Sequence, residues 1–411
     1  PSARSRRVTA PPILWKDAET AARGVESTGA RFRWRMSLEA RILIVITAVL
    51  LAFGLATLYS ASAGVAMAAQ RPSWHFLYRQ LTGVAAGLVG FAVLAKVDAD
   101  RWQKLAWAGI LLTIVGLLLT VLPFTRSIAP PINGSRRFLF GGSIQPSEFG
   151  KLALVIWTAM LIVKKGGEQG LRRLSKGLAP FGAIFGILTA LVALEPDVSV
   201  ALFYALVMGV MLFAAGARIG HFVFLGIVGI PFVWTFVGKF DYIVRRLLGF
   251  VDGTDGTEAV KHQLQQSLIA VGSGGLFGVG FGQGRQQFGF LPLPYNDFIG
   301  SNVGEEWGFV GLAGLIVLYA LWTWLGFRIA KQARSPFLQL VAIGLTTTMV
   351  FTAYLHLGVV IGLLPTTGLT LPFVSYGRSN IMLSLFITGL LVNIGSERER
   401  VGGRAPAPRA R

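Results

Sequence analysis

Residues Ile42–Ser62, ILIVITAVLLAFGLATLYSAS, run without a single charged side chain. A helix needs about 20 mostly apolar residues to cross a bilayer, so this stretch reads as a membrane span. No small-residue cleavage site closes a short apolar core here, which makes it an anchor and not a removed signal. Working outward, nine further segments read the same way, at about 77–95, 105–122, 148–163, 178–194, 198–215, 219–238, 298–327, 337–363 and 371–394. Composition agrees: the 411 residues are 53% apolar and only 14% charged, against roughly a quarter charged in soluble domains. The predicted fold is all-α, a polytopic membrane protein of about ten spans. It divides into a basic tail over 1–41, expected to be disordered, a membrane domain over 42–394 and a C-terminal tail over 395–411.

The chain carries 38 Lys and Arg against 19 Asp and Glu, a formal charge of +19. Nucleic-acid binding would need those cations on a folded soluble domain, and no long soluble stretch exists outside the tail, so no nucleic-acid partner is expected. Cytoplasmic loops carry the excess Lys and Arg of membrane proteins. With both termini in the cytoplasm, 26 of the 38 cations fall inside and 10 outside. That placement leaves one long extracytoplasmic loop, 239–297, far longer than a connector requires. It holds an amphipathic stretch, Glu258–Val271, and then a Gly-rich run to Gly289. There is no cysteine, the four histidines lack metal-ligand spacing, and no phosphate-binding P-loop is present, which disfavours thiolate chemistry and ATP-driven transport.

Charge inside a membrane is costly, about 2.5–3.5 kcal/mol for Asp or Lys at a helix centre, so polar groups there are informative. Gln145-Pro146-Ser147-Glu148-Phe149-Gly150-Lys151 opens the fourth span. Glu148 and Lys151 are three apart and can pair on one helix face, either as a local cap and ion pair or as a pocket that turns Lys151 to an anion. In Glu195-Pro196-Asp197, Asp197 is either a capping residue or an outer-face carboxylate. In Leu291–Phe298, two prolines lead to Asp297, an N-cap or a general base. Gly304-Glu305-Glu306-Trp307-Gly308 puts two adjacent acids at a depth where at least one must face a cavity or a cation. Leu364–Arg378 breaks an apolar region with prolines, glycines and hydroxyls, as cavity-lining segments do; it contains Ser375 and a candidate inward cation, Arg378. Arg136 and Arg137 suit either a pyrophosphate or lipid headgroups.

Taken together, in this order and spacing, these motifs resemble the SEDS (FtsW/RodA) family of peptidoglycan polymerases. The pieces that carry the resemblance are Tyr59-Ser60-Ala61-Ser62, Asn133–Phe138, Gln145–Glu148 with Lys151, Pro196-Asp197, Gln263–Gly284, Asp297-Phe298, Gly304-Glu305-Glu306 and Leu364–Gly377. They span nearly the whole membrane part. Three departures stand out: Tyr295-Asn296 replaces the usual His-Thr, Val198-Ser199 the common Gly-Thr, and Arg378 a Gly. Leu364–Pro372 and Asn133–Arg137 look like the division-type version more than the elongation-type.

The resemblance implies glycosyl transfer on the outer face of a bacterial cytoplasmic membrane, with lipid II (an undecaprenyl-diphosphate-linked disaccharide pentapeptide) as substrate. It implies a class B penicillin-binding protein transpeptidase as partner, beside other division or elongation proteins. It maps the essential carboxylate onto Asp297, and binding residues onto Arg136, Arg137, Glu148, Lys151 and Asp197; Glu305 and Ser375 complete the expected binding set. The reaction would be inverting: a sugar 4-hydroxyl, activated by Asp297, attacks an anomeric carbon and displaces a lipid diphosphate. Cations answer the charge on the leaving group, and a divalent ion, Mg2+ or Mn2+, is expected to assist without being a certain cofactor. A flippase for the same lipid, or a division scaffold without activity, are the competing readings.

Overall fold

The computed structural model describes residues 31–131, 135–172, 177–223, 227 and 258–401. The helical unit runs from Met36 to Gly395. Among the described residues its longer helices are α1 (Leu38–Ala68), α2 (His75–Lys96), α3 (Asp100–Val121), α4 (Pro146–Lys164), α5 (Ala179–Leu194), α6 (Val198–Ala214), α7 (Glu258–Ser273), α8 (Ile299–Lys331), α9 (Pro336–Val360) and α10 (Arg378–Ile394). Six of them, α1 to α4, α8 and α9, are long and apolar enough to cross a membrane, and α5, α6 and α10 are shorter apolar helices. The chain is a multi-pass membrane protein. Most of the span expected at 219–238 lies outside the described residues, as do most of the two tails. Two short strands, β1 (Arg31–Met36) and β2 (Ser396–Val401), pair in a unit of their own; composition gave no hint of them.

Nine apolar helices match nine of the ten expected spans, with shifts at the ends. The largest shift is at 371–394, where helix begins only at Arg378 and residues 361–377 form turns. The amphipathic stretch of the long loop is α7.

Loops expected on one side of the membrane do meet. The Ser37 amide donates to the Gly395 carbonyl at 3.0 Å, so the helical unit starts and ends on one face, as an even number of crossings requires. The same face gathers Glu39 with Arg328 at 3.0 Å and Arg334 with Asp98 at 2.7 Å and Asp100 at 3.0 Å. There too the Asn393 side-chain amide caps the end of α2, reaching the carbonyls of Leu94 and Ala95.

α4 and α9 are the buried centre, and α1, α2 and α3 are much more exposed along their length. Trp157, Trp322 and Tyr204 are wholly buried. Where α2 meets α10, glycines replace side chains: a Cβ on Gly83, Gly87 or Gly90 would run into Ile381, Leu385 or Phe386. Small residues at this spacing let two membrane helices approach closely.

Candidate active site

Opposite the Ser37–Gly395 face, two non-helical segments and the start of a helix converge. The first is 361–377, the link from α9 to α10. It is held by Ser375, which is buried; its Oγ accepts the Leu371 amide and donates to the Asn296 carbonyl, both at 2.8 Å. The Tyr376 amide donates to the Tyr295 carbonyl at 2.9 Å. Gln80 of α2, 1% exposed, grips the same turn with both ends of its amide, donating to the Ser375 carbonyl and accepting from the Gly377 amide. The aromatic rings of Phe76, Tyr295 and Tyr376 pack edge to face or tilted around this junction. Asn296 and Tyr295 immediately precede Asp297, so the whole arrangement fixes where Asp297 stands. The N-cap position of α8 falls on Phe298, one residue beyond Asp297.

Asp297 is half-buried and lines a cleft with Gln263 of α7, His356 of α9 and the run Thr366-Thr367-Gly368-Leu369. About 300 Å³ is empty there, counting the open mouth. His356 is buried. The Gly300 amide donates to its Nε2 at 3.4 Å, which leaves the proton on Nδ1, 2.8 Å from the Leu369 carbonyl. The imidazole therefore sits as a neutral ring whose two nitrogens are both occupied, and it ties α8 and α9 to the cleft wall.

The second segment is the α5–α6 turn. Asp197 caps α6, its Oδ1 accepting the Val200 amide at 3.4 Å, as the capping reading expects. Arg137 wraps this turn, donating from Nε to the Glu195 carbonyl at 2.9 Å, from Nη2 to the Pro196 carbonyl at 2.7 Å and reaching Asp197 at 3.4 Å. Ser199, just inside α6, donates to the Thr367 carbonyl at 2.7 Å, which joins this turn to the cleft wall. Glu195 is 2% exposed and takes a hydrogen bond from Thr120. Burial, and secondarily the nearby Asp197, raises its carboxyl to about 8, against the opposing pull of Thr120 and Arg137. Burial also raises Asp197, with Arg137 pulling the other way.

The third element is the start of α4, which opens with Pro146 at its first turn, as expected from the missing proline N–H. Lys151 and Glu148 pair at 2.7 Å with side chains 2% and 10% exposed, and the ammonium stands 4.9 Å above the Phe203 ring. Phe203 lies on α6, and the Tyr204 hydroxyl of the same helix donates to the Ser147 carbonyl at 2.7 Å, which packs the start of α4 against α6. Arg136 turns back onto its own loop, donating to the Ala129 carbonyl at 2.9 Å and the Thr125 hydroxyl at 3.0 Å. Arg378 stands half-buried at the first position of α10 and not deep in the interior.

Glu305 belongs to a separate polar cluster, at a break in α8. Gly308 has φ +65, a left-handed conformation that glycine adopts without strain. Beside it the Gly-rich loop after α7 takes over the helix's own hydrogen bonds. Val279 and Gly280 amides donate to the Glu305 and Glu306 carbonyls at 2.9 and 3.1 Å, and the Phe309 and Val310 amides donate to the Gly275 and Leu276 carbonyls at 2.9 and 3.1 Å. A Cβ on Gly308 would collide with the Gly278 nitrogen.

Among the described residues no group of three or more His, Cys, Asp and Glu is placed to hold a metal ion. Gln80 and His356 escaped the sequence reading, and Gln263 and Thr366–Thr367 were named there only within longer motifs. Lone polar residues on apolar helices have no local pattern to mark them, and only the hydroxyl-rich 364–378 motif pointed toward this wall.

A family model described as "Cell cycle protein" matches residues 40–400. A protein of Trichlorobacter lovleyi named "Probable peptidoglycan glycosyltransferase FtsW" is 37% identical over 86% of this chain and 92% of its own. The "Stage V sporulation protein E" of Bacillus subtilis is 36% identical over 86% of this chain and 96% of its own. Among solved structures, a chain from one described as "Structural coordination of polymerization and crosslinking by a peptidoglycan synthase complex" superposes with a TM-score of 0.69 at 26% identity, covering 86% of this chain and 97% of that one. The rod shape determining protein RodA of Thermus thermophilus gives 0.61 at 26% identity, over 86% and 95%. The chain belongs to the FtsW/RodA/SpoVE family of cell cycle proteins.

Proposed function

We propose that this protein is a peptidoglycan glycosyltransferase of the division type, polymerising lipid II on the outer face of a bacterial cytoplasmic membrane. The observation that carries the reading is Asp297, a carboxylate held at the mouth of a cleft by the Ser375–Asn296 and Tyr376–Tyr295 bonds. Relatives over nearly their whole length bear the name of that activity. The division-type assignment rests on the FtsW-named relatives and on the Leu364–Pro372 motif; the RodA likeness keeps the elongation-type polymerase, with the same chemistry, as its alternative.

The chemistry follows from the groups in place. A sugar hydroxyl entering the cleft meets one carboxylate able to take its proton. Attack on the anomeric carbon of a second lipid-linked sugar displaces a diphosphate, whose growing charge needs cations. Lys151 and Arg137 supply them close to the α5–α6 turn, each already paired with a carboxylate, so positive charge is presented without leaving it uncompensated in the apolar interior. Ser199, through Thr367, keeps that turn in register with the cleft. Arg136 positions the loop before α4. A divalent cation, if the reaction uses one, would be held by the Asp297 or Asp197 carboxylate and would supply charge for the departing diphosphate. A class B penicillin-binding protein is the proposed partner, in keeping with the polymerising and crosslinking complex to which the fold is similar.

The test is to place the purified chain in liposomes with lipid II, with and without a co-purified transpeptidase. Glycan strands support the polymerase. Lipid II that crosses the bilayer without any polymer contradicts it and supports the flippase.

A further inference from the structure

Where α2 and α10 begin, on the face opposite Ser37 and Gly395, stand cations that the proposed reaction does not use. His75 and Arg79 are four residues apart in the first turns of α2, so they share one face of it. Arg71, just before the helix, meets the His75 Nε2 with its guanidinium at 2.8 Å. One turn beyond Arg79 on that face is Gly83, and Arg378 fills the space a side chain would take there: a Cβ on Gly83 would meet the Arg378 Cα and Cγ. Gln80, the neighbour of Arg79, binds the Gly377 amide, the neighbour of Arg378, at 3.0 Å. Arg79 and Arg378 therefore stand on adjoining turns of the α2–α10 contact, two like charges brought together by the backbone.

Both arginines are half-buried. Among the described residues neither side chain has a hydrogen-bond or ion-pair partner, and no acid stands in the first turn of either helix. By contrast, Arg136 and Arg137 are spent on carbonyls and Lys151 on Glu148. Two guanidiniums held this way repel each other until an anion lies between them, and their planar forks suit phosphate oxygens. The level of the cluster in the membrane points to the source of that phosphate. Trp74 and Tyr78 flank it, both more than half exposed, with their rings edge to face at 5.9 Å. Exposed Trp and Tyr of this kind sit at the headgroup level of a bilayer.

We propose that Arg79 and Arg378, with Arg71 beside them, bind the headgroup phosphate of one anionic phospholipid at the outer end of the α2–α10 pair. Arg378 stands in place of a Gly of the sequences this chain resembles, so half of the clamp is the chain's own addition. The bound phosphate neutralises the two cations and holds the start of α10 against α2, directly behind the 361–377 link. The site does not depend on the polymerase reading, because its ligand is a lipid of the surrounding membrane and not the proposed substrate.

Phosphatidylglycerol is the probe, titrated into the full chain in detergent and counted by native mass spectrometry, with phosphatidylcholine of the same acyl chains as the zwitterionic comparison. The expected result is one phosphatidylglycerol bound more tightly than phosphatidylcholine. Its affinity should fall about fivefold in each of Arg378→Gly and Arg79→Gln, the worth of one basic residue at an anionic membrane surface. Arg334→Gln removes the same charge from the opposite face and should leave that affinity unchanged. Neither Arg79 nor Arg378 holds another side chain, so both variants should fold, and Arg378→Gly decides alone if Arg79→Gln does not. The inference fails if phosphatidylglycerol binds no better than phosphatidylcholine, if Arg378→Gly binds it like the wild type, or if Arg334→Gln loses as much. It also fails if an equal amount of lipid II displaces the phosphatidylglycerol, since the two arginines would then belong to the substrate.

Discussion

The α5–α6 turn and the break in α8 bury carboxylates by opposite means. At the turn, charge is matched by charge: Arg137 reaches Asp197 and Lys151 pairs with Glu148. At the break, Glu305 and Glu306 are answered by backbone amides and a serine hydroxyl. The difference teaches what each region is for. Paired cations can be lent to an arriving diphosphate and returned to their carboxylates afterwards. Amides of a wrapped loop cannot move without unwrapping it, so the break holds structure, whereas under the proposed function the turn and cleft handle substrate.

The contrast breaks most readily at Lys151. Removing one member of a buried ion pair strands the other and costs ~3–5 kcal/mol. Lys151→Met should therefore lower the unfolding midpoint in detergent strongly, and the double change with Glu148→Leu should recover most of the loss. Glu306→Gln, which strands no partner charge, should cost distinctly less. Equal losses at the two places would erase the distinction between them.

A smaller effect sharpens the same comparison through pH. Glu195 is neutral when buried, with its carboxyl raised from 4.5 to about 8. A group whose folded value is raised contributes stability that is full below its unfolded value and is lost as pH rises through the folded one. Thermal stability should thus decline between about pH 4.5 and 8 by up to a few kcal/mol, and Glu195→Gln should flatten that decline. An unchanged slope in the variant would show that the turn's charge balance lies elsewhere.

Much of the architecture was legible from the sequence because spans announce themselves through uninterrupted apolar runs. The Glu148–Lys151 pair and the Asp197 cap were legible for a different reason: their partners lie three residues away on one helix face. Long-range partnerships were not. Ser375 was expected in the binding set, but its bonds to Leu371 and Asn296, the second nearly 80 residues away in sequence, had no local sign. The insertion of the Gly-rich loop into α8 uses backbone groups only, and backbone hydrogen bonds leave no trace in side-chain patterning beyond the glycines that permit them. Arg136 and Arg137 suited either a pyrophosphate or lipid headgroups, as adjacent cations with a shared role. The fold separates them, one holding its own loop and the other gripping the α5–α6 turn.

The central claim is that chemistry rests on the one carboxylate at the cleft mouth. It is tested most directly by the rate of glycan strand formation from lipid II by the full chain carrying Asp297→Asn, with the proposed transpeptidase partner. The change keeps the side chain's size and leaves the Ser375–Asn296 and Tyr376–Tyr295 bonds in place. Loss of a general base costs typically 10²–10⁴-fold, so strands should fall below detection while the protein keeps its unfolding midpoint and its binding of lipid II. Strands of normal length made at the wild-type rate would contradict the account.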